Sequence, residues 1–239
     1  MNRIRIRLAF LLFCTLCVAS CTSTVTRYPY ISSSTSDGRY GVFGDREKGE
    51  VVVKEITTGR IVKVWNNNIF DLIGGAVGFT SDKRYFVLPI KNSIELWKLK
   101  DGTLKKTLVT NSNIYSFAIN STNTYLAASD MDGGINLWDL DDGRHLWQMQ
   151  FAKNRSEEVH ILKGILSVNK TVTPLAHRLV FSHDGKYLAI AGLEFIKIYA
   201  IPSGKETNWI ALNQPRDSNT HIMDSIIFSN ADSYICCWY

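Results

Sequence analysis

The chain has 239 residues, 45% hydrophobic and 21% charged, with a formal net charge of +5. Three of its 27 cations, Arg3, Arg5 and Arg7, lie in the first seven residues, so the remainder carries 24 cations against 22 acids, a net of +2. Such a balance supplies no basic stripe of the kind that binding a nucleic-acid backbone requires, and no nucleic-acid partner is expected.

Residues 1–20 read as a targeting segment. The three arginines form a basic head, and the apolar run Leu8 to Ala19 that follows is too short to span a hydrocarbon core, which takes about 20 residues. The run ends in Val18-Ala19-Ser20-Cys21, which resembles the lipobox of bacterial lipoprotein signal peptides. The resemblance implies cleavage before Cys21 and acylation of Cys21; the other reading is an ordinary secretory signal with Cys21 a free thiol. Several acyl chains on one residue would anchor firmly, at about 0.8 kcal/mol per buried methylene. Thr22 stands where Asp would imply retention at the inner membrane. By that family rule the resemblance implies the outer membrane, with the mature domain facing the periplasm.

Residues 21–35 are rich in Ser and Thr and read as the lipidated cysteine and a tether, leading into a first strand around Tyr28 to Ser33. From residue 36 to 239 the chain repeats itself. The clearest unit opens with Phe181-Ser-His-Asp-Gly-Lys-Tyr187 and closes with Ile196-Lys-Ile-Tyr-Ala-Ile-Pro-Ser-Gly204. Its opening matches Phe79 to Tyr85 closely, and Ile119 to Tyr125, Ser36 to Tyr40 and Phe228 to Tyr234 more loosely. The closing segments end at Gly59, Gly102, Gly143 and Gly204, so the steps are 43, 41 and 61 residues. A period near 42 with several short strands per unit predicts an all-β fold, a β-propeller of four-stranded antiparallel blades. The long third step predicts an insertion of about 20 residues, placed at 150–175.

In chain order, the first blade takes Arg39 to Gly44, Glu50 to Ile56 and Arg60 to Trp65. The second runs from Ile69 to Leu108, with Gly74-Gly75 in its first strand marking a bulge or close approach. The third covers Ile114 to Met149, and the fourth Ala176 to Ile210. The fifth begins at Ile222 and is two strands short at Tyr239, an open edge that would favour self-association. A shortened reading frame, completion by another chain and strained closure at five blades all account for it; the first is our expectation.

At these residues the chain resembles WD40-type propellers, most clearly in Leu137-Trp138-Asp139-Leu140. The repeat positions that carry the resemblance are Tyr85, Tyr125, Tyr187, Trp97, Trp138, Tyr199, Gly102, Gly143, Gly204 and Asp139. No repeat opens with the family's Gly-His pair, and Lys98 and Ala200 replace the Asp that follows Trp138. The resemblance implies a bacterial propeller lipoprotein that works through the loops on its faces.

No residue pattern points to catalysis, a cofactor or a metal. The histidines His145, His160, His177, His183 and His221 show no ligand spacing. Asp139, Asp141 and Asp142 are explained by turn preference, and Asp130-Met-Asp-Gly-Gly134 lacks the alternating ligands of a calcium loop. Cys236 and Cys237 align with Ala189 and Ile190 and read as small residues of an inner strand. The expected function is a non-enzymatic envelope scaffold with a protein partner. The alternatives are a propeller enzyme of quinoprotein or hydrolase type, and a fragment of a larger propeller lipoprotein.

Overall fold

A computed structural model describes residues 32–45, 48–66, 77–151, 155–160, 167–172, 176, 178–192, 195–211, 225–229, 232 and 235–238. Among them every regular element is a strand. Turn-forming Gly, Asn, Asp and Ser punctuate runs of Val, Ile, Leu and aromatic residues at intervals too short for helices. Cys21, Gly74 and Gly75 lie outside the described residues.

Four sheets have four antiparallel strands each, laid side by side in chain order. The first comprises β1 (Ser32–Ser34), β2 (Tyr40–Asp45), β3 (Glu50–Glu55) and β4 (Ile61–Trp65). The second comprises β5 (Gly78–Phe79), β6 (Tyr85–Ile90), β7 (Ser93–Lys98) and β8 (Leu104–Val109). The third comprises β9 (Ile114–Ile119), β10 (Tyr125–Asp130), β11 (Gly134–Asp139) and β12 (His145–Gln150). A two-stranded hairpin, β13 (Arg155–His160) and β14 (Ser167–Val172), precedes the fourth sheet. That sheet comprises β15 (Arg178–Phe181), β16 (Tyr187–Ala191), β17 (Phe195–Ala200) and β18 (Lys205–Ala211). The pair β19 (Ser225–Phe228) and β20 (Ile235–Trp238) follows.

The repeat read in the sequence is a repeat of register. Phe79 pairs with Phe86, Ile119 with Leu126, Phe181 with Leu188 and Phe228 with Ile235, the same two repeat positions each time. The third and fourth strands of each full sheet slip by one residue at one repeat position, after Val53, Leu96, Leu137 and Ile198. The residues reached by the slip are Lys54, Trp97, Trp138 and Tyr199. A bulge there bends the outer strand and increases its twist.

Packing follows the two-residue period of a strand. In β16, Leu188 and Ile190 pack against the third sheet, while Ala189 and Ala191 pack against the β19–β20 pair. In β6, Phe86 and Leu88 face the first sheet and Val87 faces the third. Each such strand is therefore buried on both faces, which is why its sequence is a short continuous apolar run. Full burial of each Leu or Ile contributes about 1.5–3 kcal/mol. The first strands are neighbours: β1 lies beside β5, β9 beside β15, and β15 beside β19. They form the inner side and the fourth strands the rim.

Among the described residues the fold is an unclosed β-propeller of four full blades and a two-stranded fifth. Among the described residues no apolar cluster joins the fifth blade to the first. Two strands lie within the insertion. Residues 155–160 pair with 167–172 from Arg155↔Val172 to His160↔Ser167, so its backbone groups satisfy one another. Polar stretches such as Ser-Glu-Glu and Asn-Lys-Thr hide that pairing, because they carry no apolar alternation. The apolar Ile161 to Leu166 lies outside the described residues.

Candidate interaction face

The turns between first and second strands and those between third and fourth strands emerge on the same side of an antiparallel sheet. Two repeated turn designs build that side. In the first, one polar side chain closes the turn. Thr35, Thr80 and Ser182 each donate their hydroxyl to Asp37, Asp82 and Asp184, at 2.6, 2.6 and 2.8 Å. The same hydroxyls accept the backbone N–H of Tyr40, Tyr85 and Tyr187 at 3.0, 3.1 and 2.9 Å. Asn120 does both jobs in the third blade, donating to Thr122 and accepting from the Tyr125 N–H. Each turn places one residue at positive φ: Gly38, Lys83, Asn123, Gly185 and Asp232. Tyr85, Tyr125 and Tyr187 thus open the second strands, half-buried behind the turns.

These turns are tied to one another from blade to blade. Lys83 pairs with Asp37 at 2.7 Å. Ser81 donates its backbone N–H to Asn123 Oδ1 at 2.9 Å and its hydroxyl to the Ser121 carbonyl at 2.7 Å. Ser121 donates to the His183 carbonyl at 3.0 Å. Asp232 accepts the backbone N–H groups of His183 and Asp184, at 2.8 and 3.0 Å. Five turns therefore make one continuous, cross-braced surface.

The second design is the glycine turn. Gly59, Gly102, Gly143 and Gly204 have φ of 71, 68, 73 and 70°. Each donates its N–H to the carbonyl four residues back, on Glu55, Lys98, Asp139 and Ala200. Three of these turns lean on the rim strand of the preceding blade: Gly102 on Val62, Gly143 on Lys106 and Gly204 on Trp147. Asp139 serves its own turn, accepting the Asp141 N–H at 2.9 Å. Trp138 is buried beside His145, and His145 in turn meets Asn136 Oδ1 at 3.0 Å. Trp97 stands edge-on to Trp65 with ring centres 5.3 Å apart. Tyr199 is buried, and that burial, reinforced by Glu206, pushes its phenol well above the ordinary value.

The stretch Asp130 to Gly134 is the β10–β11 hairpin turn. Asp130 accepts the N–H groups of Asp132 and Gly134 at 3.1 and 2.7 Å. Its other oxygen is buried and has no partner among the described residues, and burial raises its pKa. No group of three metal-ligating side chains converges among the described residues.

Between the turns of the first two blades the face opens into a depression of about 470 Å³. Arg39, Arg60, Lys83, Arg84, Lys98 and Lys100 line it, over Tyr40, Tyr85 and Leu99. The acids that serve the three arginines lie lower, whereas Asp37 is as exposed as the Lys83 it pairs with. Glu55 is 10% exposed and holds Arg39 at 2.8 Å and Arg60 at 3.3 Å, whose side chains are 58% and 44% exposed. Asp82 is 26% exposed and holds Arg84, 68% exposed, at 2.5 Å. The arginines hold Glu55 below the usual carboxylate range, Arg39 foremost. Lys83 does the same to Asp37. No family model matches the chain, and comparison with curated proteins found no similar one.

The depression was not visible in the sequence, where net charge near zero argued against any basic patch. Its signal was there: Arg precedes the repeat tyrosine in two consecutive blades, at Arg39-Tyr40 and Arg84-Tyr85, while Thr124 holds that place in the third. Of the remaining predicted features, His183 sits in the braced turn with Nδ1 3.0 Å from Asp232. Cys236 and Cys237 are in β20, paired with Ile227 and Ile226. His177 and His221 lie outside the described residues.

Proposed function

We propose that the chain is a WD40-like propeller lipoprotein, acylated at Cys21 and held at the periplasmic side of the outer membrane, where it binds another protein. The observation that carries the interaction reading is the cross-braced turn face: five loops held side by side form a preorganised surface, and preorganised surfaces lose less entropy on binding. The repeated glycine turn and the bulge at Trp97, Trp138 and Tyr199 support the likeness to the family. The absent Gly-His pair sets this chain apart from standard repeats, and the turn hydroxyls and Asx residues do the bracing instead. The lipobox supports the anchor, and the turn carboxylates, each engaged with a neighbouring hydroxyl, amide or cation, support a binding role over a catalytic one.

A photo-crosslinking residue placed singly at Lys100, Asp142 and Met131 in native cells tests the interaction. Lys100 and Asp142 are exposed on the turn face and Met131 on the opposite side. A discrete protein adduct from a turn-face position is the expected result; adducts from Met131 alone would overturn the assignment of the face. The anchor is tested separately with labelled palmitate. Cys21→Ser should lose the label and move the protein to the soluble periplasm, and retained label would rule out acylation at Cys21.

A further inference from the structure

We infer that the depression between the first two blades receives an acidic peptide segment of a partner protein, its carboxylates seated on Arg39 and Arg84. This rests on the interaction reading of the turn face and names the chemistry of what that face takes. Both arginines are held by the Nε side only, Arg39 by Glu55 and Arg84 by Asp82. Their guanidinium groups lie over Tyr40 and Tyr85, at 5.2 and 5.7 Å from the ring centres. So fixed, each directs terminal N–H groups that have no further partner among the described residues. A planar pair of such donors matches a carboxylate bidentately.

The charges are also unequal. Glu55 is shared by Arg39 and Arg60, and Lys98 and Lys100 are exposed without an ion pair among the described residues. The depression therefore presents its three arginines above the acids that hold them, with Lys98 and Lys100 exposed beside them. Two further features favour a peptide over a phosphate or a lipid headgroup. The arginine forks come from different blades, so they suit several separate carboxylates rather than one compact anion. Exposed apolar residues also flank the cations: Ile61, next to Arg60, is 59% exposed, and Leu104 at the start of β8 is 45% exposed. Carboxylates alternating with apolar side chains along an extended peptide would meet both.

The test is fluorescence anisotropy on the purified protein in detergent, at low salt, with a fluorescein-labelled peptide of glutamate and leucine residues. The glutamine version of the peptide is the control. The acidic peptide should bind and the control should not. Arg39→Gln with Arg84→Gln should weaken binding about tenfold, the loss expected for about 1.4 kcal/mol. Because Arg39 also braces Glu55, the decisive variant is Lys98→Gln with Lys100→Gln, which breaks no ion pair and should weaken binding about fivefold. Arg144→Gln, on the same face in the third blade, should leave it unchanged. Equal binding of the control, an unaffected lysine variant, or displacement of the peptide by equal amounts of inorganic phosphate or glycerol 1-phosphate would each overturn the inference, the last in favour of a phosphate or headgroup site. If the peptide fails while Lys100 or Asp142 still crosslinks to a protein, this inference falls and the interaction reading stands.

Discussion

Replacing Gly59, Gly102 and Gly143 by Ala, one at a time, separates two contributions that the repeated glycine turn combines. All three have the same left-handed backbone and the same N–H to carbonyl bond four residues back. An L side chain in that region costs about 1–2 kcal/mol, and this cost should appear in all three variants. The surroundings differ. A Cβ at Gly59 meets no atom within 4 Å. At Gly143 it meets the flexible end of Lys106, which can swing away. At Gly102 it overlaps the backbone carbonyl oxygen of Val62, on the rim strand of the preceding blade. Backbone cannot rotate aside, so the first two blades must shift, and overpacking of this kind adds about 1–3 kcal/mol. Gly59→Ala should therefore cost about 1–2 kcal/mol, Gly143→Ala slightly more, and Gly102→Ala about 2–5 kcal/mol. In thermal unfolding each kcal/mol moves Tm by about 2–4 °C for a chain of this size, so the extremes are readily resolved. Equal losses at Gly59 and Gly102 would refute the claim that these turns brace one blade against the next.

Four other outcomes follow from the same geometry. Asp232→Ala removes the acceptor for two backbone N–H groups of the fourth blade, so amide exchange at His183, Asp184 and β19 should accelerate ahead of the rest, with a loss of about 1–3 kcal/mol. Trp138→Ala, at a fully packed site, should cost about 3–5 kcal/mol in urea unfolding, and Trp97→Ala, half-exposed, clearly less. Asp130→Asn should raise Tm at pH 7, because it removes a carboxylate whose charged form is disfavoured by burial; the gain should vanish at pH 3, where Asp130 is protonated, and a gain that persists there would refute the cause. Asp37, Asp82, Asp101, Asp184, Asp232 and Glu55 all sit below the ordinary carboxylate range, so the stability they contribute is present above about pH 4 and lost as pH falls through their folded values. Tm should be flat from pH 6 to 8 and fall steeply below about 4; a steady decline from pH 6 would contradict that set of shifts.

The blade plan was legible because one constraint acts at every repeat. The glycine that closes each unit needs positive φ, the apolar strand needs burial on both faces, and the residue opening the second strand needs a half-covered place behind a turn. Each requirement narrows the residue type, so Gly, a short apolar run such as Leu188-Ala-Ile-Ala191, and Tyr recur at fixed distances and can be counted. The insertion hid its hairpin because its paired segments, Arg155–His160 and Ser167–Val172, carry no apolar alternation to count. The depression hid for a different reason. Its cations come from four successive turns between Arg39 and Lys100, brought together by the repeat itself, and their acids are nearby, so the charges nearly cancel in the composition.

A surface of paired charges is usually taken as inert, since exposed ion pairs contribute little to stability. Here the arginine pairs are stratified. Glu55 is nearly covered while both guanidinium groups that it holds stand largely in water. A buried acid beneath an exposed cation fixes the cation's position without cancelling its reach outward, because an approaching ligand meets the positive layer first and the negative one from farther away. At about 4 Å and an effective dielectric near 20, an added carboxylate gains about 4 kcal/mol from each contacted cation before desolvation. The same arrangement makes the surplus depend on depth rather than on net charge. Converting Glu55 to Gln should therefore affect the fold more than the sign of the face, through Arg39 and Arg60 losing their shared anchor. If that variant kept its stability and bound acidic peptide as before, the acids below would be irrelevant to the positioning of the cations above.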